Sequence, residues 1–228
     1  VEGLSGDIWR DFSVRRVVIR DPKGVWLEGR NLRLAWTFGD RLSAALAEDG
    51  VHLALVQTAL KLTIPGVPDV YQGAELWEQS LVDPDNRRPV DHAEIAQRLA
   101  ALDERRDDPS VAREHSVPAV DETGDAKLLV TSRALRLRRD RPELFSDYAP
   151  LQAEGEQAEH LFAFARGGAL TLATRLPVGL EAAGGWGETS LVLPDGQWKD
   201  ALTGGSFSGT VRVGDVLDLL PVALLVRD

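Results

Sequence analysis

Between residues 91 and 145 apolar side chains recur at helical spacing, whereas from His160 onward they fall into short runs separated by glycine turns. In the first stretch Ile95, Leu99 and Leu102 stand at i, i+4 and i+7, one face of a helix. Asp91 and Glu94 precede them in the D-x-x-E pattern of a capping box, in which Asp91 accepts from backbone N–H groups and Glu94 reaches back. Asp125 reads as the cap of a second helix, with Leu128 and Leu135 on a shared face and Arg133, Arg136 and Arg139 turned outward, stopped by Pro142. Six apolar runs then follow at 161–165, 170–174, 190–193, 198–201, 210–213 and 222–226. Gly167-Gly168, Pro194-Asp195-Gly196 and Gly204-Gly205 punctuate them. Period and punctuation together predict a small antiparallel sandwich from about residue 155, packed on helix 125–141.

Upstream, residues 42–62 predict a mostly apolar helix with a break at Asp49-Gly50, ended by Pro65-Gly66. Val67 to Tyr71 then reads as a short buried strand closed by Gly73, with Asp69 as a buried, hydrogen-bonded support. Residues 75–90 and 107–124 read as loops. In residues 1–40 only a short strand at 14–19 and a turn at Asp21-Pro22-Lys23-Gly24 are legible, and the segment is left unassigned.

Composition excludes several functions. Lys and Arg number 26 against 36 Asp and Glu, a net charge of −10. So acidic a chain is poorly suited to a phosphate backbone, so no nucleic-acid partner is expected. There is no cysteine, hence no disulfide, thiolate metal site or cysteine nucleophile. The histidines at 52, 92, 115 and 160 are too far apart for a local zinc motif, which leaves only ligands brought together in space. No apolar run approaches the ~18 residues of a membrane span, and residues 1–20 lack a secretory h-region. A soluble, cytoplasmic protein with no membrane partner is the expectation.

One segment carries a family signal. Pro65-Gly66-Val67-Pro68-Asp69-Val70-Tyr71-Gln72-Gly73-Ala74-Glu75 resembles the eighth barrel strand of the α-amylase superfamily, glycoside hydrolase family 13. The following Ser80-Leu81-Val82-Asp83-Pro84-Asp85-Asn86-Arg87-Arg88-Pro89-Val90-Asp91 resembles the maltooligosyltrehalose synthases within it. The helix ending Arg138 to Phe145 is similar to the last barrel helix of that family. Gln197 to Gly204 and Leu220 to Leu225 resemble its carboxy-terminal sandwich.

The resemblance implies the carboxy-terminal part of a (β/α)8 barrel followed by a small antiparallel β-sandwich. Residues 41–150 would supply the last strand and helices of the barrel, and 151–228 the sandwich. A complete barrel needs about 250 residues, so the chain is expected to be part of a longer enzyme, with the missing upstream barrel as its partner. The implied reaction converts the reducing-end α-1,4 linkage of a maltooligosaccharide to an α,α-1,1 linkage. A carboxylate nucleophile forms a glycosyl-enzyme, and the released glucose turns and attacks through its own anomeric hydroxyl. The carboxylates for this lie, in the superfamily, on the fourth and fifth strands and after a His-Asp pair. None of the four histidines is followed by Asp here, so no catalytic residue is assigned. No metal or organic cofactor is implied.

Candidate substrate-binding residues are Tyr71, Gln72, Glu75, Asp83, Asp85, Asn86, Arg87 and Arg88. From spacing alone Asp83 to Arg88 reads as a solvated loop with Asx turns and local ion pairs. With the resemblance, the same run shapes substrate subsites, because sugar hydroxyls need bidentate donors and acceptors. Tyr71 and Trp77 are either stacking platforms or core, and Glu75 either binds sugar or anchors its loop. The arginines from 133 to 141 read as a solvated helix face rather than an anion site, and Trp186 and Trp198 as sandwich core. The competing functions are a related family 13 hydrolase and a non-catalytic carbohydrate-binding fragment.

Overall fold

The computed structural model describes residues 2–7, 11–21, 24–35, 47–77 and 89–227. The chain opens with an antiparallel meander of β1 (Glu2–Asp7), β2 (Asp11–Asp21) and β3 (Gly24–Ala35). The strand expected at 14–19 lies inside β2, and Asp21 pairs with Gly24 at the expected turn. Arg16 Nε donates across the hairpin to Glu28 Oε1 at 3.0 Å.

Four helices follow: α1 (Ala47–Thr63), α2 (His92–Asp107), the single turn α3 (Arg113–Ser116) and α4 (Asp125–Asp140). Helix α1 runs through Gly50 without the expected break. A helical glycine costs about 1 kcal/mol relative to alanine, and burial of Leu55, Val56, Ala59 and Leu62 outweighs that. Helix α2 begins as the sequence predicts, with Asp91 Oδ1 accepting from the Glu94 N–H at 2.9 Å. Only this half of the capping box is present, because the Glu94 carboxylate turns toward Arg98 at 3.5 Å.

Helix α4 departs from expectation twice. Its N-cap is Gly124, in the left-handed region at φ 79°, and Asp125 makes no cap. The Asp125 carboxylate instead accepts from Arg98 Nε of α2 at 2.9 Å. Arg133 does not face water: it is buried and donates to the Leu202 carbonyl. The helix is covered on one side by α1 and on another by the sheet region, leaving too narrow an outer face for every arginine.

A 3-10 turn at Pro142–Phe145 leads into β4 (Ala149–Leu151), β5 (Leu161–Arg166) and β6 (Ala169–Thr174). Then come α5 (Pro177–Ala182), β7 (Ser190–Val192), β8 (Trp198–Asp200), β9 (Ser206–Phe207), β10 (Thr210–Arg212), α6 (Val213–Val216) and β11 (Val222–Arg227). All six predicted strand runs are strands; β4, β9 and the two short helices were not foreseen. Six strands form one antiparallel sheet in the order β4-β5-β6-β11-β8-β9, and β7 pairs with β10 in a separate ribbon.

The period of two along β6 and β11 explains the layering. Ala169 and Ala173 of β6, with Val222 and Leu224 of β11, face Leu55, Leu62, Leu128 and Leu129 of the helices. Leu170, Leu172, Ala223 and Leu225 point the other way, toward Leu191 of β7 and Val213 and Val216 of α6. Small side chains on the helix side of β6 let α1 lie close; large ones on the other side fill the gap to the β7–β10 ribbon. Trp198 is buried in this second core and Trp186 packs against it, as expected.

Two charged groups join the layers. Arg166, buried at the end of β5, donates to the Thr63 carbonyl at 2.8 Å, to the Ser146 carbonyl at 3.3 Å and to the Phe145 carbonyl. Fully buried Asp200 accepts from the Leu202 and Leu224 N–H groups at 3.0 and 3.1 Å and from the Thr203 hydroxyl at 2.6 Å. Burial pushes its carboxyl above the usual range, and these donors oppose the shift.

Helices α2 and α4 are tied by Arg136, which donates to both Asp103 oxygens at 2.8 and 2.9 Å. The guanidinium holds the Asp103 carboxyl below its usual value. A depressed folded-state pKa gives stability that is complete above the unfolded value of about 3.9 and is lost as pH falls through the folded one. Asp103→Asn should therefore lower the urea midpoint at neutral pH and flatten its decline on acidification. The difference should stay below about 1 kcal/mol, since both partners are about one-third exposed.

Candidate functional site

The segment from Ile64 to Trp77 is where the sequence puts its family signal, and the fold holds it from both ends. At the exit of α1, Arg138 of α4 donates to the Leu62 carbonyl at 3.1 Å and to the Gly66 carbonyl at 2.8 Å. The Leu62 carbonyl is one of the helix-end acceptors that have no intrahelical partner, and Gly66 belongs to the turn beyond it. Pro65 and Gly66, the latter at φ 126°, then turn the chain away.

At the other end, Lys127 Nζ donates to the Leu76 carbonyl at 2.8 Å and lies 5.5 Å from the centre of the Trp77 ring. Trp77 Nε1 donates to the Asp121 carbonyl at 2.6 Å. A side chain at Gly124 would meet the Trp77 backbone nitrogen at 3.0 Å, so the glycine that caps α4 also lets this loop dock. Trp77 is thus a structural anchor rather than an open stacking platform. Lys127 and Gly124 were missed in the sequence; a glycine directly before a helical pattern was the available signal.

Between the anchors, Tyr71, Gln72 and Glu75 share one turn, closed by the Ala74 N–H to the Tyr71 carbonyl at 3.0 Å. Tyr71 is 50% exposed and Gln72 is exposed. Glu75 is partly buried, and its Oε2 is buried with no hydrogen-bond partner among the described residues. Losing the hydration of such an oxygen costs about 1–3 kcal/mol or more, so a donor placed there would gain accordingly. Asp83, Asp85, Asn86, Arg87 and Arg88 lie outside the described residues.

The buried strand expected at 67–71 is not formed. The segment has no ladder, Val67 is 95% exposed, and Asp69 is exposed rather than a buried support. A strand exists only through a neighbour that takes its N–H and C=O groups, and no other described strand pairs with this segment. Among the described residues no cluster of ligands could hold a metal, and no helix is long and apolar enough to cross a membrane.

No protein-family model matches the chain. Two Mycobacterium tuberculosis proteins named as maltooligosyl trehalose synthase are 47% identical over 178 residues, which is 77% of this chain and 20% of theirs. The solved maltooligosyltrehalose synthase from Arthrobacter ramosus is 53% identical with a TM-score of 0.73, covering 80% of this chain and 23% of that one. A solved structure described as DSM5389 glycosyltrehalose synthase is 26% identical, with a TM-score of 0.60 over 80% of this chain and 21% of that one. The chain thus spans about a fifth of the length of the relatives it matches. The family likeness expected from the sequence therefore holds, and over about four fifths of its length the chain is related to the maltooligosyltrehalose synthases.

Proposed function

We propose that the chain is the carboxy-terminal part of an intramolecular transglycosylase that turns the reducing-end α-1,4 linkage of maltooligosaccharides into an α,α-1,1 linkage. The observation that carries this reading is the 53% identity to the Arthrobacter ramosus enzyme, on a shared fold, over 80% of the chain. In the complete protein, residues 67–71 become the last strand of a (β/α)8 barrel, paired by upstream strands, and the turn from Tyr71 to Glu75 sits at its carboxyl face, where such barrels keep their sites. The protein works in the cytoplasm on a maltooligosaccharide, without a cofactor.

The chemistry gives this turn a definite task. Once the glycosidic bond breaks, the free glucose must stay in place, reorient and return before water reaches the glycosyl-enzyme. That demands hydroxyl partners around the leaving group. The unpartnered Oε2 of Glu75 is an acceptor of the required kind, half-exposed Tyr71 offers a ring face, and Gln72 offers both donor and acceptor. Asp83, Asp85, Asn86, Arg87 and Arg88 extend the polar set immediately downstream in sequence.

In the complete enzyme, Arg87→Ala or Asp85→Ala should lower trehalose-type product formation by roughly ten- to hundredfold. A hydrogen bond to a charged group contributes about 1.5–3 kcal/mol. The assay is non-reducing product from maltopentaose, read beside the melting temperature of each variant. Full activity, or a loss that tracks unfolding, removes these residues from the site.

A further inference from the structure

A cavity of about 690 Å³ opens between the end of α2, the loop carrying α3, the outer turns of α4 and the β8–β9 turn. It lies apart from the Tyr71–Trp77 turn and shares no lining residue with it. Its charge is opposite to that of the chain. The whole protein carries −10, yet Arg106, Arg113, Arg133, Arg136, Arg141 and Lys199 all border this space, against Asp108, Asp140 and Asp200.

The carboxylates are already engaged. Asp108 accepts from the Ser110 N–H and hydroxyl at 2.8 and 2.6 Å, and Asp140 from Arg139 at 2.6 and 2.9 Å. Asp200 is held by its three donors. Arg136 is matched by Asp103, Arg113 by Asp218, Arg141 by Glu143 and Arg106 by Asp107. Two lining cations lack an ion-pair partner, and Asp108 and Asp200 are held by neutral donors alone. Arg133 and Lys199 have no carboxylate within ion-pairing distance among the described residues.

Arg133 is the more telling of the two. It is only 7% exposed, and one nitrogen, Nη1, is satisfied by the Leu202 carbonyl. Its other donors are not sealed from solvent, and the residue lines the cavity. Burial, and after it the neighbouring charge of Arg106, draws its pKa down to about 10, against the opposing pull of Asp200, Asp103 and Asp107. A guanidinium with no carboxylate within ion-pairing distance, bordering a half-open cavity, is placed for a planar, bidentate oxyanion contact. Lys199, exposed on β8, adds a point charge, and Ser116 and Thr203 also line the cavity. The volume is within the range of small-molecule sites and exceeds what a lone phosphate ion fills.

We propose that this cavity binds a phosphate-type oxyanion, as inorganic phosphate or as the phosphoryl group of a small phosphorylated sugar, through Arg133 and Lys199. The site is independent of the neutral oligosaccharide reading above, and its test does not depend on transglycosylation.

Calorimetric titration of the 228-residue chain with sodium phosphate, glucose 6-phosphate and glucose, at constant ionic strength set by sodium chloride, reads it out. Saturable binding of phosphate and glucose 6-phosphate, and none of glucose, is expected. Equal affinity for both points to the phosphoryl group alone; tighter glucose 6-phosphate identifies the sugar phosphate as the occupant. Arg133→Met should weaken binding at least about tenfold, the loss of a charged hydrogen bond. Lys199→Gln should weaken it about threefold or more with an unchanged melting temperature, since its exposed side chain makes no hydrogen bond or ion pair among the described residues. If Arg133→Met does not fold, Lys199→Gln carries the comparison. No saturable binding by either anion, equal binding by wild type and Lys199→Gln, or equal binding of glucose overturns the proposal.

Discussion

Arg166→Met should destabilise the chain by about 3–5 kcal/mol, measured as the shift in urea-unfolding free energy at neutral pH. The guanidinium contacts three carbonyls from two places: Thr63 at the end of α1, and the consecutive Phe145 and Ser146 before β4. Each is a hydrogen bond to a charged group, worth about 1.5–3 kcal/mol net, and bonds to one shared group do not add in full. Methionine keeps the apolar stem and removes every donor, so the buried carbonyls lose their partner at once. Arg166→Lys separates charge from shape. An ammonium cannot span three acceptors set for a planar fork, so it should recover less than half the loss. A cost below about 1 kcal/mol for Arg166→Met would mean that water replaces the guanidinium and that the layers hold without it.

The 228-residue chain incubated with maltopentaose should give neither non-reducing product nor free glucose. Transglycosylation needs one carboxylate to attack the anomeric carbon and another to handle the leaving-group proton. The resemblance assigns these to strands that have no counterpart in this sequence, and the chain spans about a fifth of its relatives. A working enzyme of this kind turns over at about 1–1000 per second, against an uncatalysed rate lower by 10⁶-fold or more, so the expected signal is nil. Turnover at an enzymatic rate would show that carboxylates in this chain are catalytic. Restoring activity by joining the chain to the upstream barrel would place its role in the substrate site.

What was legible depended on whether the signal was local. The strands β5 to β8, β10 and β11 were readable because each apolar run sits between turn residues that suit only a turn. Helix α2 was readable because its face and its Asp91 cap lie within eleven residues. Helix α4 was readable as a helix but not in its surroundings. Outward placement of Arg133 followed from a one-sided view of amphipathicity, and the second contact surface, with Leu202, comes from a segment almost seventy residues downstream. The Val67–Tyr71 segment has the composition of a strand, but pairing is a property of two segments, and only one is at hand. Within the candidate site, Tyr71, Gln72 and Glu75 were singled out, but Tyr71 was read as the end of a strand and Glu75 as the start of a loop, so the turn they share was not foreseen. The contacts of its clamps, Arg138, Lys127 and Gly124, were not legible because each acts from α4 or its cap across tens of residues, although the place of Gly124 before a helical pattern was.

The position of β11 has a consequence for how the sheet comes into being. It is inserted between β6 and β8, so the two sides of the sheet meet only through it. During translation β6 is complete at Thr174, whereas β11 begins at Val222. At about 5–20 residues per second, β6 leaves the ribosome roughly 2–10 s before the strand that will cover its open side. Through that interval its apolar edge, Ala169 to Thr174, is a template for any other extended chain. The order of synthesis therefore makes the sheet a late and all-at-once event, in which β5–β6 and β8–β9 wait as separate hairpins until a single strand closes the seam.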